Sequence, residues 1–310
     1  MNPIARLGIF TVVLTLVLAA FTWPAGRLAP HDLPLGVVGA PPAALANEGF
    51  ELHTYGSEAD ARAAIMDREV YGALAGRTAL VATGASPAVA AAIRQAAPQA
   101  RVVDLAPGTK RDPRVATLSA LALPLTLLGI ATALMAFLTA RGVAGRAGLI
   151  LAGGAITGVV AALLTQTWLD ALPGSWLGIA GVAGLAVVAV AAPVAGLAGR
   201  LGPPGIGIGA LLMMVVANPW SGVASAPELL PEPIGVIGQW LPTGAAGSAL
   251  RSVAYFDGAA VGGPLVVLAA WAVAGLALVA AGRARAGARQ PSARSGVSIR
   301  TARSSAGAGR

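Results

Sequence analysis

The sequence contains no cysteine, which excludes disulfides, thiolate catalysis and cysteine-based zinc or iron–sulfur sites. Histidine is almost as scarce. His31 and His53 are the only two, and neither has a second ligand at i+3 or i+4, so both read as solvated or structural. Charge is thin: Asp, Glu, Lys and Arg make up 11% of the 310 residues, against about 25% in soluble domains. No HExxH, GxSxG or GxxxxGK[ST] pattern occurs, so the chain brings no zinc-protease, hydrolase or phosphate-loop site of its own. Nothing in the sequence builds a catalytic, cofactor-binding or metal-binding set, and we expect neither an enzyme nor a cofactor.

What the chain has instead is apolar length. Hydrophobic residues reach 56%, more than a water-soluble fold of this size can hide. Six runs are candidate spans: 7–23, 116–140, 149–168, 177–198, 206–225 and 264–281. About 20 helical residues cross the ~30 Å hydrocarbon core. The fifth run is the awkward one, because Asn218-Pro219 interrupts it; parity with the basic tail favours crossing. If the N-terminus is cytoplasmic, the segments left inside are 1–6, 141–148, 199–205 and 282–310. They hold Arg6, Arg141, Arg146, Arg200, Arg283, Arg285, Arg289, Arg294, Arg300, Arg303 and Arg310, and no acid. All thirteen carboxylates then lie outside. Basic residues in short loops set orientation, so the expected protein is multi-pass in the cell membrane, with both termini cytoplasmic. The same sorting assigns the surplus positive charge to lipid and not to nucleic acid. Trp23, Trp168, Trp176, Trp220 and Trp240 fall at the outer boundaries, as an aromatic belt requires.

The expected fold is a membrane all-α bundle of six transmembrane helices with a small exported α/β domain between helices 1 and 2. Residues 1–23 form an uncleaved N-terminal anchor, 24–115 the extracytoplasmic domain, and 116–281 a five-helix transmembrane domain. Residues 282–310 form a basic, disordered cytoplasmic tail. Segment 24–115 carries nine basic and nine acidic residues, the balance of a domain exposed to water. Strands are expected at 33–39, 50–55, 70–75, 79–83 and 101–105, and helices at 57–68 and 87–97. Ser57 and Ser86-Pro87 supply N-terminal caps, and Gly76-Arg77 a hairpin turn. Lys110-Arg111-Asp112-Pro113-Arg114 reads as a polar hinge into the second span. The two hairpins that follow should close through loops of about eight residues. Segment 220–263 is apolar yet dotted with Pro and Gly, and 242–257 reads as a re-entrant or interfacial helix.

Ionisable groups are nearly absent from the spans, which argues against a proton-driven carrier. Asp170, at the outer end of the third, is a candidate boundary carboxylate. Pairs at Gly154/Gly158 and Gly205/Gly209 let helices approach closely, but with 41 glycines such spacings also arise by chance. The residues singled out for a substrate path are Asn218 and Pro219 at the break, with Trp240, Leu241, Pro242, Gly244 and Arg251 in the re-entrant segment.

Three runs carry a resemblance: Leu35-Gly36-Val37-Val38; Glu58 to Ile65 with Val70-Tyr71-Gly72-Ala73-Leu74; and Leu241-Pro242-Thr243-Gly244-Ala245-Ala246 with Leu250-Arg251-Ser252. Together with the layout of 1–282, they resemble ABC-2-type permeases, most closely actinobacterial proteins related to the phage infection protein family. The resemblance implies a transmembrane subunit that exports an amphipathic or lipid-like substrate, as a homodimer and with a separate ATPase subunit. Two family features are missing: an amphipathic helix ahead of the first span, and cytoplasmic loops long enough for an ATPase to grip. The alternative is a non-transporting envelope protein that displays its exported domain as a receptor, sensor or assembly module.

Overall fold

The computed structural model describes residues 2–40 and 49–288. Its elements in chain order begin with α1 (Pro3–Ala25), β1 (Leu33–Val38), β2 (Phe50–Tyr55), α2 (Glu58–Met66), β3 (Gly72–Ala75), β4 (Thr78–Val81), α3 (Pro87–Ala96) and β5 (Arg101–Asp104). Then come α4 (Ala116–Thr139), α5 (Gly142–Ala162), α6 (Trp176–Leu201), α7 (Pro203–Leu211), α8 (Ile234–Gln239), α9 (Pro242–Tyr255) and α10 (Gly262–Ala288). α5 runs on as a π-helix over Leu163–Trp168, and α7 does the same over Leu212–Ala217.

The five strands form one mixed sheet in the order β2-β1-β3-β4-β5. Only the β3/β4 hairpin is antiparallel, and it turns through Gly76 at φ +57°, a left-handed conformation that suits glycine. The capping residues act as their positions require. Ser57 Oγ accepts from Asp60 N and Ser86 Oγ from Val89 N, each at 3.2 Å. Strand alternation sends Leu33, Leu35, Ala79 and Val81 to one face, where α3 covers them with Val89, Ala90 and Ile93. Ala73 and Leu80, cross-strand partners, point to the other face and meet Ala61, Ala64 and Ile65 of α2. That second core does not stop at the sheet: Val115, Leu118, Leu250, Ala254 and Tyr255 belong to it. Sheet and bundle share one hydrophobic core.

Four helices are long and apolar enough to cross a membrane: Ala116–Thr139, Gly142–Trp168, Trp176–Leu201 and Gly262–Gly282. α6 is the axis of the bundle, packed against α4, α5, α7, α9 and α10. In its most apolar stretch 72% is buried, against 33%, 28% and 22% in the other three. The cause is side-chain size, since α6 is built of Ala, Gly and Val and lets neighbouring backbones come close. A Cβ at Gly158 would overlap Ala180 O, and one at Gly205 would overlap Leu197 O. The Gly154/Gly158 and Gly205/Gly209 pairs are therefore real packing sites.

Several expectations are corrected. The helical hairpins turn within one or two residues and not eight: α4 ends at Thr139 and α5 starts at Gly142, while Gly202 alone joins α6 to α7. Gly202 has φ +70° and ψ −152°, a backbone state open essentially to glycine. The fifth apolar run does not continue through its proline. Pro219 has no N–H and its ring collides with the preceding turn, and the helix stops at Ala217. At ~1.5 Å per residue, Pro203–Ala217 reaches about 22 Å, short of the ~30 Å core. The 110–114 joint is no hinge. Asp112 is buried and caps α4, accepting from Ala116 N at 2.8 Å and Thr117 N at 2.7 Å. Of the two forms expected for 242–257, the burial of twelve of the fourteen residues of α9 argues against the interfacial one and leaves the re-entrant one. Finally, α10 stays helical to Ala288, into the tail expected over 282–310; the rest of that tail, 289–310, lies outside the described residues.

Candidate functional site

The break at Asn218-Pro219 sends the chain back across the end of the bundle through α8 into α9, and this return is where the polar groups gather. Gly238 sits so close to Trp220 that a Cβ would overlap its carbonyl oxygen; Gly244 is packed as tightly on Gly238. The break and the 238–244 turn are thus adjacent. Among the residues singled out, Leu241, Pro242 and Gly244 are buried in that contact. Trp240 projects outward at 68% exposure, while its carbonyl accepts from Trp271 Nε1 at 2.8 Å. Asp170 stands apart, exposed in the α5–α6 turn, where among the described residues only its carbonyl is engaged, by Thr109 Oγ1 at 2.9 Å.

Arg251 is 4% exposed, an unusual depth for a guanidinium. One Nη donates to Val223 O at 2.5 Å, and Nε has no partner among the described residues. Burial pushes its pKa down to about 10 despite the support of Tyr71, Glu228 and Tyr255, so it remains charged at neutral pH. The Tyr255 hydroxyl is likewise buried without a partner among the described residues, and burial raises its pKa.

Around this cation lies a network that local sequence does not announce. Arg68, in the turn after α2 at φ +64°, donates from Nη1 to Ser248 O at 2.8 Å and to Ser252 Oγ at 2.5 Å. Its guanidinium lies 5.5 Å from the centroid of the Phe256 ring. Tyr71 donates to Glu228 Oε2 at 2.7 Å. Burial first, and then the Glu228 carboxylate, raise the Tyr71 pKa; burial lowers that of Arg68. Further ties run from Ser86 Oγ to Ser225 O and from His31 N to Glu228 O. The partners are more than a hundred residues apart. A hint existed only at Glu228, one of two acids, with Glu232, set among prolines in an otherwise apolar stretch.

Two of the clefts beside the network bear on its function. The first, about 300 Å³, lies between the end of α1 (Phe21, Pro24), α4 (Ser119, Leu123) and the break (Asn218, Pro219). Asn218 Nδ2 is buried there without a partner among the described residues. The second, about 280 Å³, lies between the sheet and the α8–α9 return. Among the described residues, no group of three His, Cys, Asp or Glu side chains is placed to hold a metal ion. No family model, curated protein or solved structure matches this chain.

Proposed function

We propose that the chain is the membrane subunit of a permease-like exporter, working as a homodimer on an amphipathic or lipid-like substrate. In this reading α1 crosses along with the four long helices, and the α7 segment, only about 22 Å long, makes the sixth crossing by thinning the bilayer around it. Both termini are cytoplasmic and the sheet lies outside. The charge sorting supports that orientation, and the layout resembling ABC-2-type permeases supports the class.

The observation that carries the reading is the cleft beside the helix break. Phe21, Leu123 and Leu230 line it as apolar surface, and Asn218, Ser119 and Ser221 as polar groups, which suits a molecule with an apolar body and a polar end. One wall is α1, which packs chiefly on the π-helical turn 212–217. A wall so lightly held is suited to opening toward lipid. The test is efflux of a fluorescent phospholipid analogue from cells expressing the chain. Leu123→Trp, which fills the cleft, should abolish efflux while leaving the protein folded; unchanged efflux overturns the reading. Single-cysteine labelling tests topology, with position 60 reached from outside and position 300 from inside.

The one- and two-residue turns at the proposed cytoplasmic face favour a second reading, because they offer an ATPase no surface to grip. The chain is then a non-transporting envelope protein that presents its sheet. An ATPase that co-purifies in native membranes supports the exporter; its absence together with absent efflux supports the second reading.

A further inference from the structure

The cleft between sheet and return segment has an arrangement of charge that neither reading uses. Its walls are the α2 turn (Arg68, Glu69, Val70, Tyr71), Glu228, Gln239 at the end of α8, Ser248 of α9 and Pro264 of α10. Arg68, Glu69 and Glu228 all line it, yet among the described residues no carboxylate comes within 4.0 Å of Arg68. The fold holds these opposite charges apart. Arg68 is fixed through Nη1 by Ser248 and Ser252 and by the Phe256 ring, and Glu228 is fixed through Oε2 by Tyr71. Each is clamped by part of its polar edge. Arg68 Nη2 and Nε and Glu228 Oε1 donate to and accept from nothing else among the described residues. Gln239 and Ser248 are spent on each other, with Ser248 Oγ donating to Gln239 Oε1 at 2.6 Å.

Opposite charges left unpaired in a partly buried cavity are costly. The cost is recovered when a ligand supplies both complements. We propose that this cleft binds a small zwitterion, with a phosphate or carboxylate on Arg68 and an ammonium group on Glu228 and Glu69. A guanidinium with free Nε and Nη2 presents the two-pronged edge that fits two anionic oxygens. An ammonium group is the point charge that two carboxylates accept. A volume of about 280 Å³ holds a headgroup-sized molecule and no acyl chain, so the ligand is either a free zwitterion or the headgroup of a phospholipid whose chains lie outside the cleft.

Calorimetry on the full chain in maltoside micelles, with phosphoethanolamine as the probe, tests this without any flux measurement. Phosphoethanolamine should bind at least about tenfold more tightly than inorganic phosphate or ethanolamine alone, the factor worth ~1.4 kcal/mol that each lost charge contact would remove. Glu69→Gln should weaken phosphoethanolamine about tenfold and leave phosphate unchanged, the sign of a carboxylate–ammonium contact. Glu69 is exposed and its carboxylate accepts, among the described residues, only a long bond of 3.5 Å from Tyr55, so this variant should fold even if Arg68→Gln does not. Nanodiscs separate the sources. Binding to phosphatidylethanolamine discs over phosphatidylglycerol discs, with none to free phosphoethanolamine, assigns the headgroup; binding of the free molecule assigns the soluble ligand. Phosphate binding as tightly as phosphoethanolamine, with Glu69→Gln silent, overturns the zwitterion. So does binding of neither the free molecule nor the discs.

Discussion

α1 and α6 are both apolar helices of similar length, 23 and 26 residues, and they end in opposite surroundings. α6 is enclosed by five other helices; α1 leaves Leu7, Phe10, Leu16 and Leu18 more than half exposed. Hydropathy does not separate them, but side-chain volume does. α6 uses Ala, Gly and Val, so partner backbones approach, and in a bilayer that packing is what holds helices together. α1 uses Leu, Phe and Ile, which project too far for close contact and are as comfortable in lipid as in protein. Small residues choose the centre of this bundle, and large ones choose its rim.

The largest effect should come from putting volume into the centre. Gly158→Val sets a side chain against the Ala180 carbonyl, a backbone atom that cannot move aside. Overpacking of this kind costs about 3 kcal/mol, and the variant should lose cooperative unfolding and aggregate on size exclusion. Gly8→Val on α1, where a Cβ meets nothing within 4 Å, should be silent in the same assays. Equal tolerance of both would break the comparison.

The next effect lies where the sheet meets α9. Arg251→Met removes a buried cation and one of the two bonds that Val223 O accepts, the other coming from Ser119 Oγ at 2.9 Å, and should cost about 2 kcal/mol in thermal unfolding. Tyr71→Phe loses one bond to a carboxylate, worth about 1.5–3 kcal/mol at neutral pH. It also alters the pH dependence. Tyr71 has a raised pKa in the folded state, so its contribution is complete below pH 10.0 and declines as pH rises beyond it. Arg251 runs the other way. Its folded pKa is lowered to about 10 from 12.5, so between those values the unfolded chain binds more protons and this group's contribution grows. The two oppose each other in alkali. Unfolding midpoints at pH 9, 10 and 11 should fall less in Tyr71→Phe than in the parent protein; an unchanged slope would mean that Tyr71 does not stay neutral.

The sheet was legible because its signals are local: Ser57 and Ser86-Pro87 start helices, and Gly76 turns a hairpin. The long apolar helices were legible for the same reason. The hairpin turns were not, because apolar run length marks where lipid ends and not where a helix ends. Arg146 looks like loop composition, yet its guanidinium stacks 5.5 Å from the Phe137 ring, so α4 and α5 continue side by side beyond their apolar stretches. The break at Pro219 was legible as a proline, but its outcome depended on what the chain packs against next. The Arg68–Ser252 and Tyr71–Glu228 pairs span 184 and 157 positions, and no window along one sequence joins them. Of the residues singled out for a path, Asn218 and Pro219 line a cleft and Arg251 sits behind the network; Asp170, singled out as a boundary carboxylate, lies away from both.

The smallest effect sharpens the comparison from the rim. Leu16 is 62% and Leu18 57% exposed, so replacing both with Ala removes apolar surface that no residue of this chain covers closely. Exposed substitutions of this kind change stability by less than about 0.5 kcal/mol, and the double variant should unfold with the parent in detergent. The proposed homodimer makes a different forecast. If a second copy covers α1, the same change removes contacts from an interface, and the variant should elute as a smaller particle with a lower midpoint. A loss near 2 kcal/mol, typical of truncating a buried Leu, together with that shift in size, would place α1 at a subunit contact. Unchanged stability and size would leave α1 facing lipid, free to act as the movable wall of the cleft beside Asn218.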